Sequence, residues 1–143
     1  MKTIAVSACL LGQNVRYNGT NKLNTELINV INGNNIIPIC PESVFINPHL
    51  PIEIKDNQAF MSNGDIVTKK LTASCMDIYK KIKDVDFVVL KTKSPTCGYK
   101  LIYDGSFTNT LIEGNGFLTR ILLENKIKVY SELDIDLIKK ELI

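Results

Sequence analysis

Phe87-Val88-Val89-Leu90 is a run of four apolar residues, and such a run predicts a strand that is buried on both faces. Similar apolar segments lie at Thr3–Ser7, 36–39 and 127–130. The segment 36–39 fits a strand only if Pro38, which lacks an N–H, faces an unpaired position. Strands buried on both faces are typical of parallel sheets covered by helices, so we predict such a sheet at the centre of the fold.

Helical patterns separate these strands. Asn24 can cap a first helix, and Gly33 stands where that helix would end. Thr68 can cap a longer helix that extends to about residue 83. Its apolar residues have the helical spacing of four, three and four, at Leu71, Cys75, Ile78 and Ile82.

Two more helices are predicted near the end of the chain, one after Gly116 and one that Ser131 can cap. Residues 58–67 predict a β-hairpin around Asn63-Gly64, which is a favoured two-residue turn. A short extended segment at 99–103 follows the third strand of the sheet. The predicted class is therefore α/β, with a mainly parallel sheet, a small β-hairpin insertion and one domain over residues 1–143.

The charge balance excludes several classes of partner. The 143 residues include 17 basic and 15 acidic side chains, for a net charge of +2. This balance does not favour a nucleic-acid groove or a polybasic membrane surface. The sequence also has no apolar run of the ~18 residues that a membrane span needs, and its first residues do not resemble a signal peptide. We expect a cytoplasmic protein that acts on a small molecule, with no nucleic acid and no membrane as partner.

Three of the four cysteines follow predicted strands. Cys9 lies just past the first strand, Cys40 directly follows the second, and Cys97 lies in the loop after Phe87–Leu90. The carboxyl ends of parallel strands share one edge, so these thiols are expected to converge there as a soft-ligand site for an iron–sulfur cluster or zinc. The alternative is that each of the three is a small buried side chain without a ligand role. We interpret Cys75 in this way, because it is one of the apolar residues on one face of the predicted helix that begins near Thr68.

Local motifs along the chain are similar to those of one family. In order they are residues 6–12 (VSACLLG), 15–19 (VRYNG), 40–42 (CPE), 90–98 (LKTKSPTCG) and 102–107 (IYDGSF). In combination they resemble the family of 2-thiouracil desulfidases, long described as a domain of unknown function. The resemblance extends from residue 3 to about residue 132.

The resemblance implies a Rossmann-like three-layer α/β sandwich that holds a [4Fe–4S] cluster on Cys9, Cys40 and Cys97. The fourth iron would be open to the sulfur of a thiolated base such as 2-thiouracil, which the enzyme would remove as sulfide. The resemblance also implies catalytic roles for Glu42 and Ser94. A carboxylate two residues from a ligand can serve as general base and then as general acid.

Charged residues near these motifs are candidates for a supporting role. A cluster on three thiolates carries a net negative charge, which Arg16, Lys91 or Lys93 could offset, or they could bind substrate. Asp104, in the turn Asp104-Gly105, is a further candidate for substrate binding. The alternative for each of them is a solvated or turn-forming residue.

One segment departs from the family pattern. After Cys-Pro-Glu the family usually continues with Gly-Gly-Leu and then Pro-Arg, whereas residues 43–49 here read SVFINPH. His49 therefore stands where an arginine is common. We expect this segment to line the pocket and to influence the choice of substrate.

Two rival functions remain open. The same three cysteines could form a non-catalytic module that binds an iron–sulfur cluster, a metal or sulfide. A thiol redox enzyme is the other alternative, and the absence of a CxxC motif argues against it.

Overall fold

Residues 1–45 and 49–143 are described in this computed structural model, and they form eight strands and four α-helices. The strands are β1 (Thr3–Ser7), β2 (Asn35–Ile39), β3 (Ile52–Lys55), β4 (Gln58–Met61), β5 (Phe87–Leu90), β6 (Leu101–Tyr103), β7 (Leu111–Glu113) and β8 (Val129–Ser131). The helices are α1 (Thr25–Ile31), α2 (Thr68–Ile82), α3 (Phe117–Glu124) and α4 (Ile135–Glu141). Two 3₁₀ helices, Ala8–Leu11 and Pro41–Val44, follow β1 and β2.

The centre of the fold is a four-stranded parallel sheet in the order β2-β1-β5-β8. Val88 in β5 lies opposite Ala5 in β1 and opposite Val129 in β8. All four residues of β5 are buried, as their apolar run predicts. The predicted parallel sheet and the α/β class are confirmed.

Helices cover both faces of this sheet. On one face Val88 packs in a cluster with Cys75 of α2 and Leu118 of α3. On the other face Val89 packs with Leu27 of α1 and Ile138 of α4. Neighbouring residues of β5 point to opposite faces because side chains alternate along a strand. Each large apolar side chain buried in these two layers stabilises the fold by roughly 1.5–3 kcal/mol.

The position of β2 explains how a proline fits in the sheet. β2 is an edge strand that pairs with β1 on one side, and Pro38 lies opposite Val6 in that pairing. Pro38 is exposed, and an edge strand tolerates the missing N–H because no further strand needs it as a donor.

The hairpin insertion is present, and it contains a second turn that was not predicted. β3 and β4 pair in antiparallel fashion across Asp56 and Asn57, whose φ angles are 51° and 61°. Two consecutive positive φ angles are the mark of a tight hairpin turn, and Asp and Asn tolerate them. The predicted turn at Asn63-Gly64 is also present: Gly64 N donates to Met61 O at 2.9 Å, and Phe60 pairs with Ile66 in an antiparallel bridge across it. β7, the partner of β6 in a second small antiparallel sheet, was not predicted.

The helix caps are predicted correctly in one case of three. Asn24 caps α1, since its Oδ1 accepts a hydrogen bond from Leu27 N at 3.0 Å. Thr68 is instead the first residue of α2, and its Oγ1 accepts from Ala59 N at 2.9 Å. Ser131 lies in β8, and the N-cap residue of α4 is Asp134, with no capping side-chain hydrogen bond.

The position of Cys75 leads to a test of the core. Its side chain is fully buried, and burial raises the pKa of its thiol to about 12. Cys75→Ala should lower the free energy of unfolding by about 1 kcal/mol through a small cavity. Cys75→Ser should cost more, about 1–3 kcal/mol, because it places an unpaired hydroxyl among apolar groups. Urea denaturation measures both, and a serine variant as stable as the wild type would contradict the assignment.

Candidate active site

A cavity of about 500 Å³ opens at the carboxyl edge of the parallel sheet. Its walls include Cys9 after β1, Cys40 after β2 and the loop 91–97 after β5. β3 adds Glu53, and the segment after β6 adds Phe107. The crevice outside the carboxyl ends of the strands is where open α/β sheets bind ligands.

The structure brings Cys9, Cys40 and Cys97 to this cavity and keeps Cys75 away from it, in the core under α2. All four are free thiols. Cys9 is 9% exposed and Cys97 is 5% exposed. As expected from the sequence, Cys9, Cys40 and Cys97 line one cavity and Cys75 belongs to the core. That the three cavity thiols bind a cluster stays a prediction.

Local backbone contacts position each of the three thiols. The carbonyl of Cys9 accepts hydrogen bonds from Lys22 N at 2.9 Å and Gly12 N at 3.3 Å, which holds the turn after β1. Cys40 Sγ donates to Val15 O at 3.8 Å. Cys97 N donates to the hydroxyl of Ser94, three residues earlier in the same loop, at 3.0 Å.

Burial keeps these thiols neutral in the absence of a bound cation. Desolvation raises the pKa of Cys9 and raises that of Cys97 well above its ordinary value. Desolvation, with the nearby Glu42 carboxylate, raises the pKa of Cys40 to about 11. A metal centre that bound here would release these protons, because thiolates are the ligands.

The donor set fits an iron–sulfur cluster. Three thiols line one cavity that has room for such a group, and thiolates are the ligands that these clusters take. Within residues 1–45 and 49–143, no three His, Cys, Asp or Glu side chains are close enough together to hold one metal ion. A cluster has no such requirement, because each thiolate binds a different iron.

Glu42 and Ser94, the two predicted catalytic residues, are brought together. Glu42 Oε2 accepts hydrogen bonds from Thr96 Oγ1 at 3.1 Å and from Ser94 Oγ at 3.4 Å. Ser94 Oγ also accepts from Thr96 N at 3.1 Å and from Cys97 N at 3.0 Å. Because backbone donors occupy its acceptor sites, the Ser94 hydroxyl donates its one proton either to Thr96 Oγ1, at 2.9 Å, or to Glu42 Oε2. Thr96 was not predicted, although its place between Ser94 and Cys97 was a signal.

His49 supports the Glu42 carboxylate from outside the cavity. Its side chain is 6% exposed, and its Nε2 lies 3.9 Å from Glu42 Oε1. Its Nδ1 lies 2.7 Å from Leu50 O. Burial raises the pKa of Glu42, and the hydrogen bond from Thr96 and the nearby His49 act in the opposite direction.

The described part of the segment that departs from the family pattern is placed differently from our expectation. Ser43, Val44, Phe45 and His49 are not among the described residues that line the cavity. Residues 46–48 lie outside the described part of the chain. The described part of the segment therefore influences the cavity through the contact between His49 and Glu42 rather than as its wall.

Three of the four charged candidates line the cavity: Arg16, Lys91 and Lys93. Lys91 Nζ lies 3.6 Å from Glu132 Oε2, so part of its charge is already balanced by a buried carboxylate. Arg16 lies over the Tyr17 ring, with 5.6 Å between its Cζ and the ring centroid.

Asp104 is not among the residues that line the cavity. Its Oδ1 accepts hydrogen bonds from the backbone N–H of Ser106 at 2.9 Å and from the Ser106 hydroxyl. These bonds hold the pKa of Asp104 below its ordinary value. The structure thus gives Asp104 the turn-forming role that was its alternative.

Glu53 is a buried carboxylate in the cavity wall that the sequence analysis did not single out. Its Oε1 accepts hydrogen bonds from Gly105 N at 3.0 Å and from Phe107 N at 3.2 Å. Its place in the sequence between Ile52 and Ile54 could have indicated a functional or structural role, since a carboxylate inside a buried strand needs a hydrogen-bond donor.

Fold and site together define an α/β protein with three thiols and a hydrogen-bonded carboxylate around one cavity at the carboxyl edge of its sheet. The sequence model of the family described as 2-thiouracil desulfurase matches residues 4–134. The chain belongs to this family, and the resemblance carried by its motifs is confirmed.

Two relatives extend the comparison. The protein YbbK of Bacillus subtilis (strain 168), described as uncharacterized, is 30% identical, and the match covers 93% of this chain and 97% of that protein. The solved structure of the [4Fe-4S]-dependent thiouracil desulfidase TudS is 30% identical. It matches with a TM-score of 0.91 over 99% of this chain and 98% of its own. In the described residues, no helix is both long enough and apolar enough to cross a membrane.

The division of the cysteines predicts which variants lose iron. After anaerobic reconstitution, we expect about four irons and four sulfides per chain in the wild type. Cys9→Ala, Cys40→Ala and Cys97→Ala should each lose most of both, because each removes one of only three thiolates. Cys75→Ala is the matched control and should retain them. Iron loss in the control equal to that in the other three would refute the ligand set.

Proposed function

We propose that this chain removes sulfur as sulfide from a thiolated nucleobase such as 2-thiouracil, using a [4Fe–4S] cluster held by Cys9, Cys40 and Cys97. The observation that carries the proposal is the shared cavity, where these thiols stand beside a carboxylate that Thr96 and Ser94 hold. Membership in the 2-thiouracil desulfurase family and the likeness to TudS support it.

The proposed reaction is a hydrolysis. A C=S group and water give a C=O group and hydrogen sulfide, so 2-thiouracil gives uracil. The carbon keeps its oxidation state, and the reaction needs neither oxidant nor reductant. When bound, the cluster would supply a Lewis-acidic iron without a protein thiolate, to which the thiocarbonyl sulfur can bind.

Glu42 is the residue we assign to proton transfer. Its carboxylate can accept a proton from the water that attacks the carbon and then deliver that proton to the departing sulfur. Thr96 Oγ1 donates to Glu42 Oε2 at 3.1 Å, and Ser94 Oγ lies 3.4 Å from the same oxygen, so these hydroxyls restrict the orientation of the carboxylate. Orientation matters because a general base must lie within hydrogen-bond reach of the water it activates.

The basic residues of the cavity wall have an electrostatic role in this proposal. A cluster on three thiolates adds negative charge to a cavity that already contains Glu42 and Glu53. Lys91 and Arg16 offset that charge, and Lys91 is held in place by its contacts with Glu132 and the Thr92 carbonyl. Lys93 is exposed, so it contributes at the cavity rim.

The direct test is an anaerobic assay on the reconstituted protein. Iron and sulfide per chain are measured first, followed by sulfide release and uracil formation from 2-thiouracil. Equal amounts of sulfide and uracil over many turnovers are the expected result. A protein with a full complement of iron and no turnover on any thiolated base would instead be the non-catalytic binding module. A protein that takes up no iron would contradict both functions.

Glu42→Gln should separate cluster binding from turnover. The variant keeps the shape of the side chain but cannot accept the proton, so we expect unchanged iron and a fall in kcat of about 10²–10⁴-fold. Glu124→Gln, an exposed glutamate of α3, is the matched control and should behave as the wild type. Activity retained in Glu42→Gln would remove this residue from the mechanism.

Thr96→Val should reveal the role of the hydroxyl that holds Glu42. Valine keeps the shape of threonine but removes the 3.1 Å donor to Glu42 Oε2. A hydrogen bond to a charged group contributes about 1.5–3 kcal/mol, so kcat should fall about 10–100-fold with iron unchanged. Full activity in this variant would show that Ser94 alone orients the carboxylate.

A further inference from the structure

Glu53 is a carboxylate in the cavity wall to which the proposed reaction assigns no role. It lies in the middle of β3, opposite Phe60 of β4, and is 7% exposed. No lysine, arginine or histidine pairs with it in the part of the chain that the structure describes. A carboxylate with so little solvent and no cation needs hydrogen-bond donors to offset its burial.

The two oxygens of this carboxylate differ in their surroundings. Oε1 accepts two backbone hydrogen bonds, from Gly105 N at 3.0 Å and from Phe107 N at 3.2 Å. Oε2 has no hydrogen-bond partner among residues 1–45 and 49–143. Oε2 is also not fully enclosed by protein. Among the described residues, the side-chain N and O atoms that are both enclosed and without a hydrogen-bond partner are His49 Nε2 and Thr119 Oγ1, and Glu53 Oε2 is not one of them. An acceptor is therefore left within reach of whatever enters the cavity.

An aromatic ring accompanies this acceptor. Phe107 lines the same cavity, and its backbone is attached to Glu53 by the 3.2 Å hydrogen bond. Gly105 has a φ of +91°, and a Cβ there would lie 2.5 Å from Lys55 Cβ, so the segment packs closely on β3. The backbone of Phe107 is thus fixed relative to Glu53. An acceptor and an aromatic side chain in one cavity wall suit a flat heterocycle that carries a ring N–H.

We propose that Glu53 is a specificity-determining residue whose Oε2 accepts a hydrogen bond from a ring N–H of the substrate. The substrate class is then thiolated heterocycles with a free ring N–H, such as the thioamide and thiourea units of thiopyrimidines. Analogues alkylated at that nitrogen are rejected, because the acceptor would be left unpaired against a methyl group. This inference rests on the proposed function.

The alternative role for Glu53 is to anchor the segment that carries Gly105 and Phe107. Glu53→Gln separates the two roles. The amide oxygen can still accept both backbone hydrogen bonds, so the anchor remains, while the NH₂ group that replaces Oε2 is a donor and faces the substrate N–H unfavourably. Glu113→Gln, an exposed glutamate of β7, makes the same change in charge and amide content away from the cavity and is the matched control.

The experiment compares kcat/KM of the reconstituted wild type, Glu53→Gln and Glu113→Gln on 2-thiouracil, 1-methyl-2-thiouracil and 3-methyl-2-thiouracil. We expect the wild type and the control to disfavour one methylated analogue by at least about 10-fold. Glu53→Gln should lose about 10-fold on 2-thiouracil, mainly in KM, with its iron content and thermal midpoint unchanged. Its discrimination against the same analogue should shrink to within about 3-fold.

Several outcomes would overturn the inference. Equal use of all three compounds by the wild type would do so without any variant, and so would unchanged discrimination in Glu53→Gln. If the wild type binds iron but releases no sulfide, the proposed function fails. In that case the affinities of the same three compounds are measured by calorimetry, which tests the role of Glu53 without turnover. Equal affinities for all three compounds would contradict that role. If Glu53→Gln does not fold, the wild-type comparison of the two methylated isomers still decides.

Discussion

The parallel pairing of β1 with β2 on one side and with β5 on the other is the constraint on which the site depends. In these two ladders Ile4 lies opposite Ile36 and Phe87, and all three strands run in the same direction. They therefore end at one edge, where each leads into the turn or loop that carries one of the three thiols. A slip of one residue would exchange the two faces of β1, so burial on both faces strongly specifies this register.

The loop that carries Cys97 depends on a second contact, with the beginning of α3. The first N–H groups of an α-helix lack partners within the helix, and here Leu118 N donates to Thr96 O at 2.9 Å. Gly116 permits this approach, since a Cβ there would lie 2.5 Å from the Thr96 carbonyl. The same short loop thus presents the Cys97 thiol and the hydroxyls of Ser94 and Thr96 from a fixed backbone, which links the proposed proton transfer to the proposed ligand set.

Local patterns predicted the sheet and the three cysteines at its edge, because an apolar run and the residue that follows it are neighbours in sequence. Sequence patterns that fit more than one local structure equally well were less informative. Asp56-Asn57 and Asn63-Gly64 both tolerate positive φ, and the structure has a turn at each, with the longer ladder, β3 with β4, across the first. The place of Glu53 between Ile52 and Ile54 indicated a buried carboxylate, but its position in the cavity wall was not predictable, because its donors Gly105 and Phe107 are 52 and 54 residues away in sequence.

The fold thereby separates two tasks that a small enzyme must combine. The parallel sheet presents the thiols and the Glu42 carboxylate, whose geometry depends on a buried register. At the side of that sheet, strand β3 presents Glu53, and the segment between β6 and β7 presents Phe107. A change in the segment between β6 and β7 alters the cavity wall without disturbing the central register, because loops tolerate substitution better than a packed core. The cavity wall can therefore vary within this fold while the three thiols, the proposed cluster ligands, stay in place.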